Sequence, residues 1–479
     1  MTDIETPKAA KGAGTAKRLV FFFDGTTNTL DARYTTNVVK LAQSIAPIAK
    51  GVSQLIYYDR GVGSDEGEKL RGGALGHGLD KNLYEAYSFL LFNYTPGDEI
   101  YVFGFSRGAF TARSFVGLIY NCGILRRRDA GDIAAAIAFY RSRDEHDAPM
   151  CERMLEYRRK HSLEICVDPR EDEWRQRTVP NYRSGDARLL RINYLGVWDT
   201  VAALGLPAHW RLSRLDRRKY RFHDARLAGI VRRARHAVSI DEKRLTFRPT
   251  LWKNVDALNQ AEGTQSSDPK APYQQQWFPG DHGSVGGGGD IEGLSDAGLE
   301  WIVDGAREAG LNVDAMPSSR IFEIVPDHRV SLQNVSAPID PTWMQKLWAW
   351  VWGLAKTADR TPGPEHLHEV HVSAKRRWLD LPQNLAGGKY RPATLERVAE
   401  ALNALDPKAF GVDKPLSVLN DPKLFEMYQV RPRDTLGAIS EKKLGSKDRA
   451  GEIFEANLDK METQSQLRAG ETIRIPRGA

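Results

Sequence analysis

The sequence lacks several features that would place it in a well-defined class of protein. It has only three cysteines, Cys122, Cys151 and Cys166, too few for a disulfide framework, although one Cys151–Cys166 bridge is left open. No run of about 18 apolar residues free of charges occurs, so no transmembrane helix is expected. Residues 1–16 contain no apolar segment of a secretory signal, and we expect a disordered leader and a location in the producing cell's cytoplasm.

A dominant charge of one sign is also missing. The chain has 68 Lys and Arg against 62 Asp and Glu, a net charge of +6, which does not indicate a nucleic-acid partner. The glycine-rich segment 283–290 lacks the Lys-Ser/Thr of a nucleotide phosphate loop. Two histidines of HLHEVH (366–371) are only two positions apart, and no further ligand stands out. We therefore expect no cofactor and no metal.

Buried strands alternating with helical segments are what the sequence does contain. The apolar run 18–23 is typical of a strand buried on both faces. This alternation predicts an α/β fold of the α/β-hydrolase type, with a mostly parallel sheet, helices on both faces and helical insertions. We expect a catalytic domain over 17–330, with an insertion at about 130–190, then a helical accessory region over 331–425.

The segment GFSRGAF (104–110) contains the pattern G-x-S-x-G, formed by Gly104, Ser106 and Gly108. It lies between a predicted strand and a predicted helix, which is the context of a nucleophile elbow. Glycines on both sides of the serine would permit the tight turn. The alternative is an ordinary strand-to-helix turn in which Ser106 caps the helix.

A nucleophilic serine needs a base and an acid that orients the base. Asp199 follows the apolar strand INYLGVW, and His282 lies in the glycine-rich loop of WFPGDHGSVGGGG. Together with Ser106 they occur in the order Ser, Asp, His that α/β-hydrolases use. Two alternatives remain open: Asp199 could cap the following helix, and His282 could be a surface loop residue.

The oxyanion of an acyl-transfer reaction requires two N–H donors. One is expected from Arg107, the residue after the nucleophile. The other is expected from Gly25 or Thr26, in the loop after the first strand (FFFDGTTN, 21–28). Asp24 is expected to support that loop by accepting backbone N–H groups.

Six motifs occur in a fixed order: FFFDGTTN, YYDRGVG, GFSRGAFTAR, GVWDTV, HAVSIDEKRLTFRPTLW and WFPGDHGSVGGG. Over about residues 17–310 the chain thereby resembles a family of bacterial α/β-hydrolases known for phospholipase effectors of type VI secretion. The resemblance implies a lipase-like fold, a Ser106–Asp199–His282 triad and hydrolysis of phospholipid acyl esters, as in phospholipase A. It also implies export to the periplasm of a target cell, and an immunity protein as a partner.

The C-terminal segment 426–479 has the order strand, helix, helix, strand and resembles a LysM module. The resemblance is carried by landmarks spread over the segment: Val430, Asp434, Thr435, Leu436, Ile439, Asn457, Leu467, Gly470 and Ile475. It implies binding of peptidoglycan, or contact with a protein such as a secretion component. The alternative function is therefore a cell-wall binding protein in which the hydrolase domain serves as a scaffold.

Four tryptophans lie close together in the segment PTWMQKLWAWVWGLAK: Trp343, Trp348, Trp350 and Trp352. On a helix they would make it apolar over most of its circumference. Tryptophan is favoured at membrane interfaces, so the segment is a candidate for contact with a membrane surface or for a lid. The alternative is a helix packed on the hydrolase core.

Overall fold

A computed structural model describes most of the chain. The described residues are 16–25, 32, 34–61, 74–201, 226–313, 324–333, 357–412, 425–432, 434–457, 461, 467, 470 and 472–477. They fall into two compact units. The first lies within Met1–Ala237, Thr246–Gln275 and Trp301–Glu323, and the second within Val238–Leu245, Gln276–Glu300 and Ile324–Ala479. Among these described residues, no helix has the length and apolar character needed to cross a membrane.

A seven-stranded sheet organises the fold, in the order β2-β3-β1-β4-β7-β8-β9. The pairs β1–β3, β1–β4, β4–β7 and β7–β8 are parallel, and β2–β3 is antiparallel. The expectation of a mostly parallel sheet is therefore confirmed. Its strands are β1 (Arg18–Phe23), β2 (Ile48–Ala49), β3 (Val52–Asp59), β4 (Glu99–Phe105), β7 (Tyr194–Trp198), β8 (Ala234–Ser239) and β9 (Tyr273–Phe278).

The described residues also form a series of α-helices. They are α1 (Asn37–Gln43), α2 (Ala74–Asn93), α3 (Arg107–Cys122), α4 (Ile133–Arg141), α5 (Glu152–His161), α6 (Pro169–Thr178), α7 (Val255–Ala261), α8 (His282–Gly286), α9 (Gly293–Glu308), α10 (Val372–Leu379), α11 (Ala399–Asn403), α12 (Leu436–Leu444) and α13 (Ala450–Glu455). Between α3 and β7 the chain is mainly helical, with the short strands β5 (Ile165–Cys166) and β6 (Arg188–Leu189) paired in parallel.

Strand β1 shows why this sheet is buried on both faces. Its side chains alternate, and Leu19 to Phe23 are all fully buried. Phe21 packs against Phe115 of α3, with ring centroids 4.7 Å apart. Phe22 points to the opposite face and stacks on Phe103 of β4 at 5.2 Å. A continuous apolar run is what a strand between two helical layers requires.

The three cysteines are free thiols, and Cys122 and Cys166 are buried. The Cys151–Cys166 bridge that the sequence left open is therefore absent. In the same helical segment, a fully buried Glu171 accepts from Arg158 at 2.9 Å and from Arg175 at 2.6 Å. Each arginine also donates to main-chain carbonyls. Because these bonds pair the buried charges, a segment rich in charged residues can pack beside the sheet.

At the C-terminus, β10 (Phe425–Gln429) pairs antiparallel with β11 (Thr472–Pro476), and α12 and α13 lie between them in the chain. Several landmark residues have structural roles here. The Thr435 hydroxyl caps α12 by accepting from Ala438 N at 3.1 Å. Buried Asn457 bonds both the N–H and the C=O of Arg474 at 2.7 Å. A small core contains Val430, Leu436, Ile439 and Ile475, with Leu467 packed against it.

Candidate active site

Ser106 lies at a sharp turn between β4, which ends at Phe105, and α3, which begins at Arg107. Its φ of 59° and ψ of −124° are strained for a residue with a side chain. Its hydroxyl makes no capping hydrogen bond to α3, so the alternative of a helix-capping serine is wrong. The side chain is 6% exposed. The Ser106 backbone thus has an unfavourable conformation, and capping of α3 does not account for it.

The glycines on either side of Ser106 are required by close backbone contacts. A Cβ on Gly104 would lie 2.6 Å from the Gly108 carbonyl oxygen. A Cβ on Gly108 would lie 2.2 Å from the carbonyl oxygen of Phe23, at the end of β1. Neither distance is compatible with a side chain. The first turn of α3 therefore rests directly on the carboxyl end of β1.

Asp199 follows β7, the neighbour of β4 in the sheet, and is fully buried with a φ of 38°. Its N–H donates to the Ala237 carbonyl at 2.7 Å. Two main-chain bonds join this segment to the turn: Ser106 N–H donates to Trp198 O at 3.0 Å, and Val201 N–H donates to Ser106 O at 3.4 Å. The first unit thereby brings the Asp199 segment beside Ser106. The alternative in which Asp199 caps the following helix depends on residues 202–225, which are outside the described residues.

The loop after β1 is organised by the buried carboxylate of Asp24. One oxygen accepts from Gly25 N at 2.6 Å, and the other accepts from the Thr36 hydroxyl at 2.8 Å and the Tyr58 hydroxyl at 2.9 Å. The Gly25 N–H is therefore engaged with Asp24 in this structure. Thr26, the other residue considered for the oxyanion site, is outside the described residues.

Arg107 is the first residue of α3, and the N–H groups of a helix's first turn have no partner within the helix. Its amide directly follows Ser106 at the start of the helix. Burial lowers the pKa of the Arg107 guanidinium from its ordinary value. The main chain of Arg107, rather than its charge, is the part that the turn places beside the serine.

The end of β3 packs on the same loop. A Cβ on Gly61 would lie 2.6 Å from the Gly25 carbonyl oxygen, which explains the first of the two glycines in the YYDRGVG motif. Asp59 accepts from Gly61 N at 3.0 Å. Burial, with a smaller contribution from the charge of Glu85, raises the pKa of Asp59 from 3.8 to about 6.

His282 belongs to the second unit and is the first residue of α8, 6% exposed. Asp281 caps α8 by accepting from Ser284 N at 2.9 Å, which accounts for this acidic residue without a catalytic role. His282 N–H donates to the Glu242 carboxylate at 3.3 Å. Sequence reasoning missed Glu242, although it lies in the HAVSIDEKRLTFRPTLW motif.

Two further kinds of site were considered, a membrane contact and a metal site. Trp343, Trp348, Trp350 and Trp352 are outside the described residues. Within the described ranges, one group has ligand atoms close enough to hold a metal, with all three within 4.8 Å: Asp129, Asp132 and His161. Asp129 already pairs with Arg126 at 2.7 Å, which opposes binding of a cation.

Gly108→Ala tests the contact between the turn and β1. The new methyl would meet the Phe23 carbonyl, so we expect the free energy of unfolding to fall by about 1–3 kcal/mol or more. Gly131→Ala is the matched control, because nothing lies within 4 Å of the Cβ it would add. Urea unfolding measures both variants. Equal stability of Gly108→Ala and the wild type would contradict the close approach.

Asp59→Asn tests the raised pKa of the carboxyl at the end of β3. In the folded chain the Asp59 carboxyl has a pKa of about 6, compared with an ordinary value of 3.8. The protonated Asp59 carboxyl therefore stabilises the folded chain below about pH 4. This stabilisation is lost as the pH rises to about 6, and the free energy of unfolding falls by at most about 3 kcal/mol. Stability of Asp59→Asn relative to the wild type should rise from pH 4 to pH 7, measured by urea unfolding. A difference independent of pH would contradict the assignment.

The chain is similar to several proteins of known sequence or structure. An uncharacterized protein of Saccharomyces cerevisiae is 27% identical over an alignment of 251 residues that covers 49% of this chain and 33% of that protein. A crystal structure of an uncharacterized protein from Pseudomonas aeruginosa has 17% identity and a TM-score of 0.38, covering 80% of this chain and 56% of the other.

A structure of the Tle1 effector bound to the VgrG spike from the type 6 secretion system has 18% identity and a TM-score of 0.29, covering 57% of this chain and 51% of the other. The chain thus spans about a third to about half of the length of these proteins. Family membership rests instead on the sequence pattern of the catalytic domain.

The family model of that domain matches residues 17–305, which include β1, the Ser106 turn, Asp199 and His282. This is more than half of the chain. The chain belongs to the family of type VI secretion system phospholipase effectors with a Tle1-like catalytic domain.

Proposed function

We propose that this protein is a serine hydrolase that cleaves acyl esters of phospholipids, as a phospholipase A does. The observation that carries the proposal is the turn at Ser106, where a strained serine joins a buried strand to a helix without capping it. An elbow of this kind exposes a nucleophile at the end of a sheet. Membership of a phospholipase effector family supports a lipid ester as the substrate class.

In the proposed mechanism, the Ser106 hydroxyl attacks the ester carbonyl while the His282 imidazole takes its proton. The same imidazole then donates that proton to the departing alkoxide. Asp199 orients the imidazole and stabilises its positive charge. Water enters, loses its proton to His282, and releases the fatty acid from Ser106 by the reverse sequence of steps.

The negative oxygen formed in each step requires N–H donors. Arg107 N–H is the first proposed donor, because it follows the nucleophile at the start of α3. Since Gly25 N–H is engaged by Asp24, the second donor is proposed to come from Thr26. The bonds of Asp24 to Thr36 and Tyr58 would hold the strand end that leads into this loop.

We further propose export through a type VI secretion system to the periplasm of a target cell, where bacterial phospholipids are accessible. Family membership is the support for this route. An immunity protein in the producing cell and a secretion component as a partner follow from the same proposal.

Ser106→Ala is the direct test of the enzymatic proposal. The full chain is incubated with vesicles of several phospholipids, and the products are identified by mass spectrometry. The wild type should release fatty acids and lysophospholipids, and Ser106→Ala should lower the rate by at least about a thousandfold. Ser88→Ala, a serine on α2 whose hydroxyl bonds Tyr84 O, should retain the wild-type rate.

Two results would reject this proposal. Retained hydrolysis by Ser106→Ala would exclude this serine as the nucleophile. Release of headgroups or phosphatidic acid in place of fatty acids would show cleavage at the phosphodiester and not at the acyl ester.

A second candidate function, glycan binding by the C-terminal module, is favoured by one observation. A cavity of about 680 Å³ opens beside β10, lined by residues that include Tyr428, Arg431, Lys442 and Lys443. The hydrogen-bond donors of Arg431, Lys442 and Lys443 around this cavity suit the hydroxyl groups of a sugar. We propose that this cavity binds peptidoglycan.

Deletion of residues 426–479 tests the second function. The full chain should sediment with insoluble peptidoglycan, and the shortened chain should remain in the supernatant, because the cavity is lost with the deleted residues. Sedimentation of both forms to the same extent would reject the module as the binding element. Phospholipid hydrolysis, measured on the same samples, reports whether the shortened chain is still folded.

A further inference from the structure

The segment Ser239–Glu242 lies directly along the loop that carries His282, within the second unit. Ile240 N–H donates to Phe278 O at 2.9 Å, and Asp241 N–H donates to Gly280 O at 3.1 Å. The Ser239 hydroxyl donates to the same Gly280 oxygen at 2.7 Å, and Gly280 N–H donates to Asp241 Oδ2 at 2.7 Å. The two segments are thus joined by main-chain and side-chain bonds just before His282.

Glu242 continues this contact to His282 itself. Its carboxylate accepts from His282 N–H at 3.3 Å and from Arg244 at 2.6 Å and 2.8 Å, while its side chain is only 2% exposed. Burial would raise the pKa of the Glu242 carboxyl. The hydrogen bonds and charge of Arg244, with a smaller contribution from His282, instead bring that pKa below its ordinary value. Glu242 is therefore a buried anion at neutral pH.

The segment is in turn held by residues far along the chain. Arg360 donates to Ser239 O at 2.9 Å, and the Thr394 hydroxyl donates to Ile240 O at 3.0 Å. The Tyr390 hydroxyl donates to Asp241 Oδ2 at 2.8 Å. These hydrogen bonds restrain the polar segment, so it can hold its neighbour in a defined position.

We infer that Ser239–Glu242 positions His282 for proton transfer, and that Glu242 is the charged positioning residue of this segment. This inference rests on the proposed function of His282. Through its bond to the His282 amide, Glu242 fixes where α8 begins, and its negative charge favours the positive charge that His282 gains when Ser106 attacks. The segment thus acts on the reaction through His282 and does not contact the substrate.

Glu242→Gln tests the inference in the full chain, because it removes the charge while keeping the size of the side chain. Phospholipid vesicles and a soluble 4-nitrophenyl ester serve as substrates. We expect kcat on phospholipid to fall by on the order of 10- to 100-fold with KM within about twofold. The loss on the nitrophenyl ester should be equal or smaller, since both esters need His282 as the base for attack by Ser106 and only the phospholipid leaving group needs the proton that His282 supplies.

Glu365→Gln is the matched control, because Glu365 is an exposed carboxylate of the same unit, paired with Arg397 at 2.8 Å. It should leave kcat unchanged on both substrates. Ser239→Ala provides a second variant should Glu242→Gln fail to fold: it removes the hydroxyl bond to Gly280 while keeping the charge of Glu242. A several-fold fall of kcat at constant KM is expected for it.

The outcomes separate the inference from the function on which it rests. An active wild type, an inactive Ser106→Ala and an unchanged kcat in Glu242→Gln would overturn the inference alone. A loss confined to KM, or a larger loss on the nitrophenyl ester than on phospholipid, would overturn it as well, because neither follows from a misplaced imidazole. Activity in Ser106→Ala would instead show that the proposed function itself is wrong.

Discussion

The contact between the first turn of α3 and the carboxyl end of β1 is the constraint on which the candidate site depends. Gly108 approaches the Phe23 carbonyl so closely that no side chain fits between them. This contact fixes where α3 starts, and the start of α3 fixes the conformation of Ser106 and the direction of the Arg107 amide. The strain at Ser106 persists because both neighbouring elements are anchored in the buried sheet.

Several separate motifs contribute to this one place. Gly61, the first glycine of YYDRGVG, contacts the carbonyl of Gly25. Asp24 accepts hydrogen bonds from Thr36, just before α1, and from Tyr58 of β3. Main-chain bonds attach the GVWDTV segment to Ser106. Motifs spread over residues 21–201 of the sequence therefore have one physical role in common, which is close packing of the main chain at the ends of neighbouring parallel strands.

Whether a feature could be predicted from the sequence depends on how far apart in the chain its interacting residues lie. The Ser106 turn depends on neighbours within a few residues, and the apolar run of β1 reports burial on both faces, so both were accessible from local pattern. Glu242 was missed because its bond to the His282 amide joins residues 40 positions apart. The engagement of Gly25 N–H by Asp24 depends on one side-chain rotamer, which no sequence pattern specifies.

Covalent labelling shows whether Ser106 is an activated nucleophile. A fluorophosphonate reacts with a serine whose hydroxyl is deprotonated by a neighbouring base, and peptide mass spectrometry locates the adduct. If Ser106 is activated as proposed, one adduct forms, on Ser106, in the folded protein and none forms after unfolding in urea. An unlabelled Ser106, or an adduct on another serine, would contradict this role of Ser106.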